Sequence, residues 1–239
     1  MRYSIAPVKN IVALGEAADA LVQRAAGVPG MGLVWGPTGY GKTTGAAWLR
    51  NKCDGIYVRA LALWTPASML DAIARELGGA FRGSCARTVD WICERLDLRP
   101  RPILVDEADY VLRTGRLVDT LRDLHDQTSA PVIMFGMPGI QRQLVRWPQV
   151  TGRILHAIEF RPCDIEDART LARALCEVEV EDGLLERLQR DAKGSARLIV
   201  VGLARLEVFA RTRGLRSIGS EQWGRRELFF GEAPAGRMS

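Results

Sequence analysis

The run Gly36-Pro37-Thr38-Gly39-Tyr40-Gly41-Lys42-Thr43 matches the spacing G-x-x-x-x-G-K-[ST] and constrains this chain more than any other stretch. An apolar run over residues 31–35 precedes it and helical spacing over residues 42–51 follows, so it reads as the turn between a strand and a helix. Its glycines let the backbone curl until successive N–H groups point inward, and the amino end of the helix adds partial positive charge. Such a cup suits a phosphate. ATP with Mg²⁺ is the expected ligand, lined by Gly36, Pro37, Thr38, Gly39, Tyr40, Gly41, Lys42, Thr43 and Thr44. Lys42 would reach the β- and γ-phosphates, and Thr43 would place its hydroxyl on the metal.

Around this turn, apolar runs alternate with amphipathic stretches, the pattern of a parallel sheet with crossover helices. Strands are expected at 31–35, 56–60, 102–106, 131–135 and 153–160, and helices at 66–77, 84–96 and 115–126. In the last of these helices Leu117, Val118, Leu121 and Leu124 share one face. After Arg161-Pro162 strands disappear, and 165–176, 184–190 and 195–212 carry helical spacing. The expected fold is therefore α/β: a core with a five-stranded parallel sheet and a short N-terminal extension over 1–162, then a helical lid and tail over 163–239. The tail from Gly214 has weak periodicity, and 232–239 are expected to fray.

A second group of residues supplies acids. Ile103-Leu104-Val105-Asp106-Glu107-Ala108-Asp109 is an apolar strand ending in carboxylates. Asp106 would hold Mg²⁺ through water, and Glu107, one residue beyond, would polarise the attacking water. A chain with both acids is expected to hydrolyse ATP as well as bind it.

Composition excludes several other classes. The 239 residues are 47 % hydrophobic and 26 % charged, as in ordinary globular proteins. No apolar run approaches the ~20 residues that span a bilayer, and the opening MRYSIAPVKN lacks the apolar core of a signal peptide. The five cysteines, Cys53, Cys85, Cys93, Cys163 and Cys176, are scattered and never form a CxxC pair, which argues against a disulfide framework or a zinc site and fits a reducing cytoplasm. His125 and His156, the only histidines, have no second ligand at metal spacing and read as structural. The net charge of +5 favours a polyanion modestly, and arginine carries nearly all of it, since Lys9, Lys42, Lys52 and Lys193 are the only lysines.

The phosphate turn followed by Asp106-Glu107-Ala108-Asp109 resembles the AAA+ ATPases. In that resemblance Gly194-Ser195-Ala196-Arg197 corresponds to the second sensor of the initiator-like clade, and Arg197 would touch the γ-phosphate. The segment from Gly152 to Pro162 is similar to the one bearing the arginine finger. Arg153, or alternatively Arg146, would then reach the ATP of a neighbouring subunit. The first sensor should fall within Phe135-Gly136-Met137-Pro138-Gly139, where no Asn, Ser or Thr stands, so slow hydrolysis suited to a timer is expected.

More narrowly, the layout resembles the transposition ATPase (B protein) of Mu-type phages and the related TniB/TnsC helpers. The residues concerned are Ile5-Ala6-Pro7-Val8-Lys9-Asn10, the phosphate turn, the acids, the Phe-Gly-Met-Pro turn and a short lid. That resemblance implies binding of double-stranded DNA with little sequence preference, ATP-dependent homo-oligomers in the form of filaments or rings, and delivery of target DNA to a transposase. Arg59, Arg82 and Arg87 are the candidate DNA contacts it suggests. Two other readings stand beside it: a helicase loader or replication initiator acting on a hexameric helicase, and a nucleotide-switched module that oligomerises without nucleic acid.

Overall fold

The computed structural model of the chain describes residues 1, 2 and 4–229, so the 232–239 segment expected to fray lies outside the described residues. Five strands form one parallel sheet: β1 (Met31–Trp35), β2 (Ile56–Arg59), β3 (Ile103–Asp106), β4 (Val132–Gly136) and β5 (Ile154–Glu159), in the order β2-β3-β4-β1-β5. Strands buried on both faces are apolar along their length, and β3 and β4 are buried at every residue, with Asp106 at the end of β3 as the charged exception. The edge strands carry the polar side chains, with β5 only partly buried. All five expected strands are present, each within a residue or two of its expected limits.

Between the strands lie α2 (Lys42–Lys52), α3 (Pro66–Glu76), α4 (Cys85–Leu98) and α5 (Gly115–Thr128). Two short helices, α6 (Ile140–Leu144) and α7 (Pro148–Thr151), precede β5. Local signals fix their starts. Thr65 opens α3 with a capping box, its hydroxyl accepting from the Ser68 amide at 3.3 Å while Ser68 Oγ accepts from the Thr65 amide at 2.7 Å, and Pro66 takes the first helical position. Leu117, Val118, Leu121 and Leu124 of α5 are buried as their spacing predicts.

One helix was not read from the sequence. Residues Lys9–Val22 form α1, whose Leu14, Ala18 and Leu21 are almost fully buried and pack against β1 side chains and Ile133. The apolar positions 11, 14, 18 and 21 carry the helical period, so the signal was present ahead of the first strand.

The chain divides into two compact units, one of Ala13–Thr38 with Lys42–Phe160, which holds the sheet, and one of Met1–Val12, Gly39–Gly41 and the chain from Arg161. In the second unit α8 (Ile165–Leu175), α9 (Asp182–Asp191) and α10 (Ala196–Thr212) bury Ala168, Leu184, Leu188, Ile199, Leu203 and Leu206. The expectation that strands cease after residue 162 needs correction: β6 (Glu179–Val180) pairs in parallel with β7 (Ser217–Ile218). Two-residue strands are too short to show alternation, which is why the sequence concealed them. The arginine-bearing stretch 211–226 packs as well. Trp223, on α11 (Ser220–Trp223), meets Phe209 edge to face at 5.0 Å, and the Arg213 guanidinium lies 3.7 Å from the Phe209 ring centre.

Candidate functional site

Because the sheet is parallel, the carboxyl ends of all its strands share one edge. The residues that follow β1, β3 and β4 therefore meet there, however far apart they are in sequence. The turn after β1 runs from Gly36 to Gly41 before α2 begins at Lys42. Gly39 and Gly41 adopt φ of +87° and +92°, a left-handed backbone that lets the chain curl back on itself. Gly36 is required for a second reason: a Cβ there would sit 2.7 Å from the carbonyl oxygen of Phe160. Lys42 Nζ donates to the Gly36 carbonyl at 2.5 Å and the Pro37 carbonyl at 3.0 Å, which holds its ammonium inside the curl. Pro37, Thr38, Thr43 and Thr44 are exposed, and Tyr40 is half-buried.

Beyond β3 the two acids differ in environment. Asp106 is only 2 % exposed. One of its oxygens accepts from the Tyr57 hydroxyl at 2.9 Å and the other from the Glu107 amide at 3.0 Å. Burial, and then the negative charge of Asp106, push the Tyr57 phenol well above its usual range, so it remains a donor at neutral pH. Glu107 has φ 54° and ψ 39°, an uncommon conformation for a residue with a side chain and one found often at functional positions. Its carboxylate is partly exposed and pairs with Arg59 at 3.3 Å. Arg59 ends β2, and the register Arg59↔Asp106 places it beside the acids.

The turn after β4 contributes Met137. Its amide donates to Asp109 at 2.8 Å, and its sulfur lies 3.7 Å from both Lys42 Nζ and Thr38 Oγ1. Asp109, from the 3₁₀ helix Ala108–Arg113, thus ties the β4 turn to the segment carrying Glu107. A thioether stands where a polar first sensor was sought. Tyr57, Asp109 and Met137 are the residues that reading the sequence passed over as participants. Only Asp109 had a local signal, as the last acid of the Asp106–Asp109 run.

In the second unit the Arg197 amide donates to the Gly39 carbonyl at 2.9 Å, with Ser195 Oγ 3.4 Å from the same oxygen. Ser195 also caps α10 by accepting from the Leu198 amide. The Arg197 side chain is exposed. Arg153 lies away from the carboxyl edge of the sheet. It precedes β5, its carbonyl accepts from the Met31 amide, and so it lies at the amino edge of the sheet. Its guanidinium makes two 2.6 Å contacts with Asp126, and that hydrogen bonding holds the Asp126 carboxyl below the usual range. Arg146 is exposed and has no ion pair among the described residues. Arg82, just before α4, and Arg87, in its first turn, are both exposed.

The donor set fits a magnesium nucleotide: an ammonium, a hydroxyl at the amino end of an eleven-residue helix, and a buried carboxylate held by two donors. No group of three or more His, Cys, Asp or Glu among the described residues could hold another metal. His125 is buried with Nδ1 2.8 Å from the Ala130 carbonyl, a structural position. Burial raises the Cys163 and Cys176 thiols to about 12, which keeps them protonated and unreactive.

The profile of the AAA domain family matches residues 25–144, half of the chain, including the phosphate turn and both acids. The chain belongs to the AAA family. Over 58 residues it is 43 % identical to a potential ATP-binding protein of Staphylococcus aureus, a stretch covering 24 % of this chain and 21 % of that protein. Among solved structures this AAA protein is similar to the ORC2 protein of Aeropyrum pernix, with TM-score 0.70 and 20 % identity over 93 % of this chain and 68 % of that one. The ORC1 protein of Aeropyrum pernix, solved in complex with DNA, gives TM-score 0.64 and 19 % identity, covering 90 % of this chain and 63 % of that one. Cdc6p of Pyrobaculum aerophilum gives 0.66 and 18 %, covering 92 % and 66 %. At these identities the likeness is one of fold. The chain spans about a fifth of its Staphylococcus relative and about two thirds of the solved chains. Among the described residues no helix is long and apolar enough to cross a membrane.

Proposed function

We propose that this AAA protein is a slow ATPase that, with ATP bound, assembles with copies of itself on duplex DNA of any sequence and delivers that DNA to a transposase. The observation that carries the enzymatic part is the meeting of Lys42, Asp106 and Glu107 at the carboxyl edge of one parallel sheet. Lys42 and the backbone N–H groups of residues 38–44 would bind the triphosphate. Thr43 and, through water, Asp106 would hold Mg²⁺, which when bound neutralises charge on the β- and γ-phosphates. Glu107 orients and polarises the attacking water. To do so its carboxylate must leave Arg59, with which it pairs at 3.3 Å. Met137 offers no hydrogen-bond donor to the γ-phosphate, which suits slow turnover. Arg197 contacts that phosphate in this reading.

The finger that serves a neighbouring subunit is Arg153 or Arg146. Arg153 lies at the sheet edge opposite its own phosphate turn, so its target is in trans, and it must first leave Asp126. Arg146 needs no such release. The DNA part rests on the arginine-borne charge of +5, on the resemblance to transposition helpers, and on the fold shared with an ORC1 protein solved with DNA. The fold likeness to ORC and Cdc6 proteins over nine tenths of the chain favours a second reading, a replication initiator or helicase loader.

Electron microscopy and sedimentation with ATP and a mixed-sequence duplex test the proposal. Filaments or rings on any duplex are expected with ATP, no assembly with Lys42→Ala, and assemblies that persist with Glu107→Gln. Assembly with ATP that ignores DNA points to a nucleotide-switched module, and dependence on a hexameric helicase points to the loader. Loss of magnesium-dependent ATP affinity in the unmodified protein removes all three.

A further inference from the structure

Two arginines lie against one indole on α4, and a third stands one turn before that indole on the same helix. The guanidinium carbon of Arg82 lies 4.7 Å from the Trp91 ring centre and that of Arg95 lies 5.3 Å from it. Arg87, Trp91 and Arg95 are spaced four residues apart and share a helical face. The ring is fixed from below, since a Cβ on Gly79 would come within 2.2 Å of it. The turn is fixed too: the Arg82 amide donates to Thr88 Oγ1 at 2.9 Å, and Ser84 caps the helix by accepting from the Arg87 amide. None of the three guanidiniums has a carboxylate or hydrogen-bond partner among the described residues, although Asp90, Glu94 and Asp97 stand on the same helix. A guanidinium stacked on an aromatic face keeps its N–H edge available and loses little freedom when it binds an anion. The guanidiniums of Arg82 and Arg95, on one ring and in no ion pair among the described residues, repel each other, and a polyanion offsets that cost.

We propose that Arg82 and Arg95, oriented by Trp91, together with Arg87 one turn before it on the same helical face, form a ridge that binds the sugar-phosphate backbone of duplex DNA. The proposal rests on the DNA-binding reading above and deepens it by naming Arg95 and Trp91. Arg87 and Arg95 are separated by about 12 Å along the helix, a length that corresponds to roughly three to four nucleotides of one strand measured along the DNA axis at about 3.4 Å each. Trp91 is only partly exposed and already lies against two guanidiniums, so it orients cations and does not stack on bases. The ridge therefore reads phosphates without regard to sequence.

The test measures affinity of the full chain, with ATP, for a fluorescently labelled mixed-sequence duplex across a salt series. Each Arg→Ala change at 82, 87 or 95 should lower the slope of log affinity against log salt by about 0.9, and the triple change by nearly three times that. Lysine at all three positions should restore most of the slope. Trp91→Leu should weaken binding at every salt concentration with the slope kept. Affinity for a fluorescent ATP analogue serves as the folding control and should not change. If the unmodified protein binds the duplex and the triple alanine variant, with ATP affinity intact, keeps its slope, the ridge is refuted and the DNA-binding reading survives. If the triple alanine variant loses ATP affinity, the lysine variant decides, and a slope not restored there refutes the ridge. An unmodified protein that binds no duplex at all refutes both.

Discussion

At the scale of single residues, the pair Arg59–Glu107 would restrain the carboxylate proposed to polarise the attacking water. Both side chains are partly exposed, Arg59 at 60 % and Glu107 at 33 %, and such surface pairs contribute about 0.2–1 kcal/mol. A restraint of that size is readily exchanged for another anion. Arg59→Ala is therefore expected to raise basal ATP hydrolysis by roughly 1.4- to 5-fold, as read by phosphate release. A variant with unaltered basal rate would show that the pair restrains nothing. Tyr57 acts on the neighbouring acid. Its hydroxyl holds Asp106 in one orientation at 2.9 Å, and a hydrogen bond to a charged group contributes about 1.5 kcal/mol or more. Tyr57→Phe should raise the Mg²⁺ concentration needed for half-maximal nucleotide binding roughly tenfold, with metal-free nucleotide affinity unchanged. Equal loss with and without metal would mean that Tyr57 only supports the fold.

At the scale of elements, the parallel strands explain both the core and the site. β3 and β4 have no exposed residue, so the helices that cover them must supply continuous apolar faces. Leu121 on α5 is 2 % exposed within that core. Leu121→Ala should lower stability by about 2–5 kcal/mol, measured by chemical denaturation, whereas a loss under 1 kcal/mol would mean that α5 is loosely packed. The strands and crossover helices were legible because their apolar runs and 3.6-residue periods are local properties. So was the helical spacing of α8, α9 and α10. The pair β6–β7 was not, because two residues carry no period and the pairing joins segments far apart in sequence. α1 carried the same local signal, with apolar residues at 11, 14, 18 and 21 at helical spacing.

For the whole molecule, binding of a ligand to the folded state alone raises its stability. Saturation at a hundredfold excess over the dissociation constant adds about 2.7 kcal/mol. A rise in melting temperature with ATP and Mg²⁺, absent in Lys42→Ala, is the expected outcome, and equal shifts in the two proteins would detach Lys42 from the nucleotide. The sequence alone determined the phosphate turn, the acids after the third strand and the α/β class, because each depends on residue types at fixed short spacings. Tertiary structure alone decided what these residues touch. It put Arg59 on Glu107, Tyr57 on Asp106, the Met137 sulfur beside Lys42, and Arg82 on the Trp91 indole. Those contacts join positions between 9 and 95 residues apart, and only the folding of a parallel sheet with its helices brings such positions within a few ångströms.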